Sequence, residues 1–106
     1  MKRSETLRTA EAAVCGQREQ DYGTPEDNFA LIGLLWTAYL GTVVTAEDVA
    51  LLMALFKIAR IKTGRGGTED SFVDLAGYAA CGCEIATEGR DAAEETAPGG
   101  GGDYGH

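Results

Sequence analysis

Thr45-Ala-Glu-Asp-Val-Ala-Leu-Leu-Met-Ala-Leu-Phe-Lys-Ile-Ala-Arg-Ile-Lys-Thr-Gly64 decides the fold. Thr45 with Asp48 three residues on is a capping-box start, and Gly64 is a left-handed stop. Between them lie strong helix formers and no Gly or Pro. At 1.5 Å per residue the helix is about 27 Å long, the span of a small domain. Val49, Leu51, Leu52, Met53, Leu55, Phe56, Ile58 and Ile61 make it apolar almost all round, so other elements must cover it on several sides.

Lys57, Arg60 and Lys62 interrupt its C-terminal half, and Arg65 follows in the loop; the other five of the nine cations are scattered. Lys57 and Arg60 are three apart and share a face. Cations near a helix C-terminus suit the macrodipole and can pair with acids on a neighbouring helix. The same cluster can also serve as an anion site.

Working outward, three further helices are predicted. Ser4 as N-cap and Glu5 in the first turn open a helix over 4–19, with a thin stripe of Leu7, Ala10, Val14 and Cys15. Thr24-Pro25-Glu26-Asp27 opens a second over 25–40, which stops at Gly41. Its apolar stripe of Phe29, Ile32, Trp36 and Tyr39 is widened by Leu31, Leu34, Leu35 and Leu40. Trp36 is therefore expected to be structural, and the interior Gly33 to mark a close helix crossing. A fourth helix over 69–87 is thin, with Ala76, Gly77, Ala79, Ala80 and Gly82; Gly77 is expected to admit a neighbour. Asp74 sits between Val73 and Leu75 and needs a partner if buried. With helices three and four antiparallel, that partner is Lys57 or Arg60, and Asp74 is then structural. The predicted fold is an all-α antiparallel four-helix bundle over residues 1–88, with a disordered tail over 89–106 that holds six of the fifteen glycines. The apolar surfaces of helices two and four are expected to be covered by other copies of the chain.

The 106 residues suit one domain with a modest core, and 44% hydrophobic content is ordinary for a globular protein. A net charge of −8 disfavours a long nucleic acid as partner. No run is long enough for a membrane span and no signal peptide is evident, which predicts a cytoplasmic protein. Cys15, Cys81 and Cys83 lack the spacing of a zinc site and read as small buried thiols; His106 is the sole histidine, leaving neither Cys81 nor Cys83 a base. No catalytic residue, metal ligand or cofactor is assigned.

Three stretches carry a resemblance: Arg18-Glu-Gln-Asp-Tyr-Gly-Thr-Pro-Glu-Asp-Asn-Phe29, Leu55-Phe-Lys-Ile-Ala-Arg-Ile61 and Asp70-Ser-Phe-Val-Asp-Leu-Ala-Gly-Tyr78. From about Cys15 to Ala86 the chain resembles a family of small tailed-phage and prophage proteins of undescribed function. More loosely it is similar to the anti-CBASS phage sponges, small helical oligomers that sequester cyclic di- and trinucleotides made in bacterial immunity. That resemblance implies a non-catalytic ligand-binding homo-oligomer. Tyr22 would stack on a base, while Arg18 and Lys57 or Arg60 would meet phosphates; aromatic platforms and local cations are suited to such ligands.

Two other readings stay open. MazG-like nucleotide pyrophosphohydrolases share the four-helix build but need magnesium held by paired acids of the Glu-x-x-Glu type. Glu47, Asp48, Asp70 and Asp74 are the candidates here. The third reading is a phage accessory protein that binds other proteins and takes no small ligand.

Overall fold

The computed structural model describes residues 1–16, 23–64 and 67–96, with the side chains of the last helix described as far as Glu88. Four helices make up the architecture: α1 (Arg3–Val14), α2 (Pro25–Leu40), α3 (Ala46–Thr63) and α4 (Thr68–Thr96). There is no strand among the described residues. The protein is an all-α helical bundle.

Two helices begin and end where their caps dictate. The Asp27 N–H donates to Thr24 Oγ1 at 3.2 Å, ahead of Pro25 at the first position of α2. At α3 the box is reciprocal: the Asp48 N–H donates to Thr45 Oγ1 at 3.1 Å and the Thr45 N–H to Asp48 Oδ2 at 3.0 Å. Each pair satisfies N–H groups that the first helical turn leaves without partners. Gly41 and Gly64 then take φ of 75° and 70° and stop α2 and α3 in the left-handed region.

The two outer helices depart from expectation. Lys2, not Ser4, precedes α1 as its cap, and its N–H donates to the Glu5 carboxylate at 3.4 Å. That helix ends at Val14, well before position 19, because Cys15 is extended and Gly16 has φ of 71°. At the other end α4 runs on past position 87 to Thr96. Arg90, Ala92, Ala93, Glu94 and Glu95 are all good helix formers, and no proline interrupts the run before Pro98. Residues 97–106 of the expected tail lie outside the described residues.

Packing follows the order α1, α4, α3, α2. Helices α3 and α4 are antiparallel, as the pairings of Ala50 with Gly82 and of Lys57 with Asp74 show. The core is made of small groups: Val49 is fully buried, and Ala10, Ala50, Ser71, Val73 and Cys81 are nearly so. Glycines permit this closeness. A Cβ on Gly82 would come within 3.2 Å of the Ala50 Cβ, and one on Gly77 within 3.0 Å of Val14 Cγ1. So the thin side of α4 is filled from within the chain at Gly77 and Gly82, by α1 and α3, while Ala79 and Ala80 stay exposed.

Gly33 is needed for a different reason from the one expected. A Cβ there would lie 2.7 Å from the Val44 carbonyl oxygen, so it is the α2–α3 connector, not a crossing helix, that presses on it. Thr37, one turn on, holds that connector: its Oγ1 accepts from the Val44 N–H at 2.7 Å and donates to the Val44 carbonyl at 3.3 Å. One side chain thus satisfies both polar groups of a residue outside any helix.

The stripe expected on α2 also needs correction. Tyr39 is 90% exposed, and Leu31, Leu34, Leu35 and Leu40 are exposed with it, while Phe29, Ile32 and Trp36 are half-buried. The thiols divide similarly: Cys81 is buried but Cys15 and Cys83 are exposed. Two residues along a helix is a rotation of about 200°, which carries Cys83 to the side opposite Cys81.

Candidate functional site

Because α1 and α2 hardly pack on each other, a cleft opens between them, floored by α3 and α4. Its volume is about 630 Å³. Gly23, Pro25, Asn28 and Phe29 line it from the start of α2, and Asp74, Gly77 and Tyr78 from the first half of α4. Met53 reaches it from α3 and Ala13 and Val14 from the end of α1. Residues far apart in the chain are brought together in this way. Residues of the Gly-Thr-Pro-Glu-Asp-Asn-Phe stretch on α2 and of the Asp-x-Ala-Gly-Tyr stretch on α4, separate in the sequence, line one cleft as wall and floor.

Phe29 and Tyr78 meet across it with ring centroids 6.1 Å apart and planes tilted by 32°. That is a favourable aromatic geometry, and it joins α2 to α4 at the cleft. Asp74 lines the cleft with them. Its Oδ2 accepts from Lys57 Nζ at 2.7 Å, with the Lys57 side chain 15% exposed and that of Asp74 42%. A pair this short and partly sheltered is a charge-assisted hydrogen bond that ties α3 to α4 beside the cleft.

Arg60, one turn beyond Lys57, is half-buried, and its Nε has no hydrogen-bond partner. Its guanidinium lies 5.8 Å from the centre of the Phe56 ring, and Lys57 Nζ lies 5.7 Å from the same ring. Neither side chain lines the cleft itself. Of the sequence-predicted ligand residues, the structure thus places Lys57 and Arg60 together on α3 and engages Lys57 with Asp74. Arg18 and Tyr22 lie outside the described residues. Trp36 is half-buried on α2, and Gly77 is buried on the cleft wall against Val14.

Outside the cleft lining is a group that sequence reading does not reveal. Glu26 on the first turn of α2 faces Glu84 and Glu88 of α4, and the three carboxylates offer oxygens within 4.8 Å of one another. Partial burial of Glu26, then the charges of Glu88 and Glu84, push its carboxyl above the ordinary carboxylate value; it is also hydrogen-bonded to Glu88. The available signal is Glu84-x-x-x-Glu88, two acids on one helical face, but their third member is nearly sixty residues away. The acids considered from sequence sit elsewhere: Asp48 is engaged in its cap and Asp70 lies in the first turn of α4.

A short helical bundle with a cleft of small-molecule size between its first two helices is the class that fold and site define. The chain belongs to the domain of unknown function family DUF6378, which matches residues 5–86. It is similar to the "Gene 55 protein" of Mycobacterium phage D29, at 48% identity over 75 residues covering 71% of this chain and 49% of that protein. It is likewise similar to the "Gene 55 protein" of Mycobacterium phage L5, at 50% identity over 74 residues covering 69% and 47%. The chain spans about half the length of these curated relatives. No solved structure matches it. No helix among the described residues is long and apolar enough to cross a membrane.

Proposed function

We propose that this protein is a non-catalytic phage-encoded binding protein whose cleft takes a small ligand, and that the ligand is a cyclic di- or trinucleotide of bacterial immune signalling. The observation that carries the reading is the convergence of two of the three resemblance-bearing stretches on one 630 Å³ cleft with an aromatic pair in its wall. Small-molecule sites commonly enclose about 300–1,000 Å³ and are mostly apolar with a few polar groups. Asn28 and Asp74 are such polar groups. In this reading a base enters against Phe29 and Tyr78, with Tyr22 as a further stacking surface. Phosphates that extend past the cleft lining are neutralised by Arg18 and by Arg60, whose buried Nε is a donor that an anion would satisfy.

Titration calorimetry with cyclic dinucleotides and trinucleotides tests it. Binding to at least one, lost in Tyr22→Ala and in Phe29→Ala, is the expected result. No heat with any of them removes the reading.

A second reading has one specific observation in its favour. Glu26, Glu84 and Glu88 have the donor chemistry for magnesium. Burial and then mutual repulsion raise the Glu26 carboxyl, and a divalent cation would relieve both. A bound magnesium would supply charge stabilisation for hydrolysis of a nucleoside triphosphate seated in the adjoining cleft. Magnesium-dependent release of pyrophosphate from deoxynucleoside triphosphates, abolished in Glu84→Gln, would decide for hydrolysis over capture.

A further inference from the structure

Among the described residues that line the cleft, Asp74 is the one charged side chain. Lys57 holds it in place: Nζ donates to Asp74 Oδ2 at 2.7 Å, and Lys57 itself does not line the cleft. The two charges cancel, so the pair exerts little net pull on a cationic ligand. A carboxylate has about four acceptor sites, and Lys57 takes one of them, which leaves Asp74 able to accept from neutral donors. Tyr78 follows Asp74 by four residues, so the two side chains are neighbours on one face of α4, about 5–6 Å apart at Cβ. Tyr78 is in turn packed against Phe29. An acceptor edge therefore stands beside an aromatic surface, the arrangement that reads a base by its hydrogen-bonding edge while its face is stacked.

We infer that Asp74 makes this cleft selective for guanine: its two oxygens accept from N1–H and the N2 amine of a guanine whose face lies against Tyr78 and Phe29. The inference rests on the cleft being a nucleotide site, as proposed above, and holds whether the nucleotide is kept or hydrolysed. Guanine alone of the common bases presents two adjacent donors, and so meets both oxygens at once, as a guanidinium does. Adenine and cytosine each set an amine beside a bare ring nitrogen, whose lone pair would face the second oxygen. Uracil and thymine flank a single N–H with two carbonyls. Each of these leaves lone pair against lone pair in a sheltered place, which is costly. No Lys or Arg lines the described cleft, so the base is the enclosed part of the ligand and its phosphates lie outside. Lys57 is then a positioning residue, fixing the carboxylate before the base arrives.

Calorimetry on the 106-residue chain with two ligand series tests it: cyclic di-GMP, di-AMP and di-IMP, and dGTP, dATP and dITP without magnesium. Hypoxanthine, the base of the di-IMP and dITP members, is guanine without its N2 amine, so it removes one bond while the protein is unchanged. Within whichever series binds, the guanine member should bind at least about tenfold more tightly than the other two, the ordinary worth of one good bidentate base contact. Asp74→Asn presents one donor and one acceptor, which matches xanthine, with a carbonyl where guanine has its amine. That variant should lose the guanine preference, and in the triphosphate series should favour dXTP; an unchanged preference in the folded variant overturns the inference. Where the variant does not fold, the guanine against hypoxanthine comparison on the wild type decides alone. Equal or tighter binding of an adenine or hypoxanthine member overturns the inference but leaves cyclic-nucleotide capture standing. Guanine-selective binding confined to the triphosphates upholds the inference and removes capture. No binding in either series overturns it, as does binding of agmatine, a guanidinium cation without a base, in their place.

Discussion

The seam between α3 and α4 and the outer face of the α2–α3 hairpin are built on opposite plans. The seam uses small groups: Ala50 against Gly82, Val49 and Val73 beside them, and one ion pair, Lys57–Asp74, at its open edge. The outer face uses leucine and carries no charge between Phe29 and Ala46. Close packing of small residues brings two backbones together, whereas large residues need a surface deep enough to receive them. In this chain hydrophobic size therefore runs against burial: the small residues make the intramolecular core and the leucines of this face stay exposed.

The contrast can be broken most sharply at the seam. Ala50→Leu puts a branched side chain where even a Cβ on Gly82 would lie only 3.2 Å away, and should cost about 3 kcal/mol in urea unfolding. A loss below about 1 kcal/mol would mean that the seam is loose. Asp74→Asn leaves the Lys57 ammonium without its carboxylate in a partly sheltered place. It should cost about 1–3 kcal/mol by the same measurement, while Asp74→Glu recovers part of it.

Gly33→Ala comes next. The new Cβ would press on the Val44 carbonyl at 2.7 Å, and backbone must move to admit it. Alanine's better helix propensity offsets part of that, so a net loss of about 1 kcal/mol is expected; a gain would show that the connector yields freely.

Glu26→Gln should give the smallest effect, and in the opposite direction. The folded-state value of Glu26 is raised, so the wild type has its full stability below the ordinary carboxylate range and loses some as pH rises through the raised value. Glutamine does not titrate. The variant should melt a degree or two above the wild type at pH 7, and the gap should close on acidification; equal melting at pH 7 would mean that the three acids do not repel.

Much of the fold was legible because it is written in local chemistry. Thr24-Pro25, the Thr45–Asp48 box, Gly41 and Gly64 are signals within four residues of the boundaries they set, and α2 and α3 fall where those signals lie. Asp74 is recognisable as a residue needing a cation because a carboxylate amid apolar neighbours has few alternatives. The cleft was less legible. Phe29 and Tyr78 line it, and only the order in which the helices pack puts them 6.1 Å apart. The Glu26–Glu84–Glu88 group stays hidden in the sequence for the same reason. The α2 stripe is misjudged from sequence because a helix apolar nearly all round has no periodicity to say which side faces in. The close approach at Gly33 comes from a loop, and helix patterning carries no information about where a loop's carbonyl will sit.

Thermal unfolding with and without cyclic di-GMP tests the central claim most directly, because a ligand that binds only the folded chain stabilises it by mass action. At about 1 mM ligand the account predicts a melting temperature raised by roughly five degrees or more, and a smaller rise with cyclic di-AMP. A melting temperature that neither ligand moves would contradict it and leave the cleft without its proposed occupant.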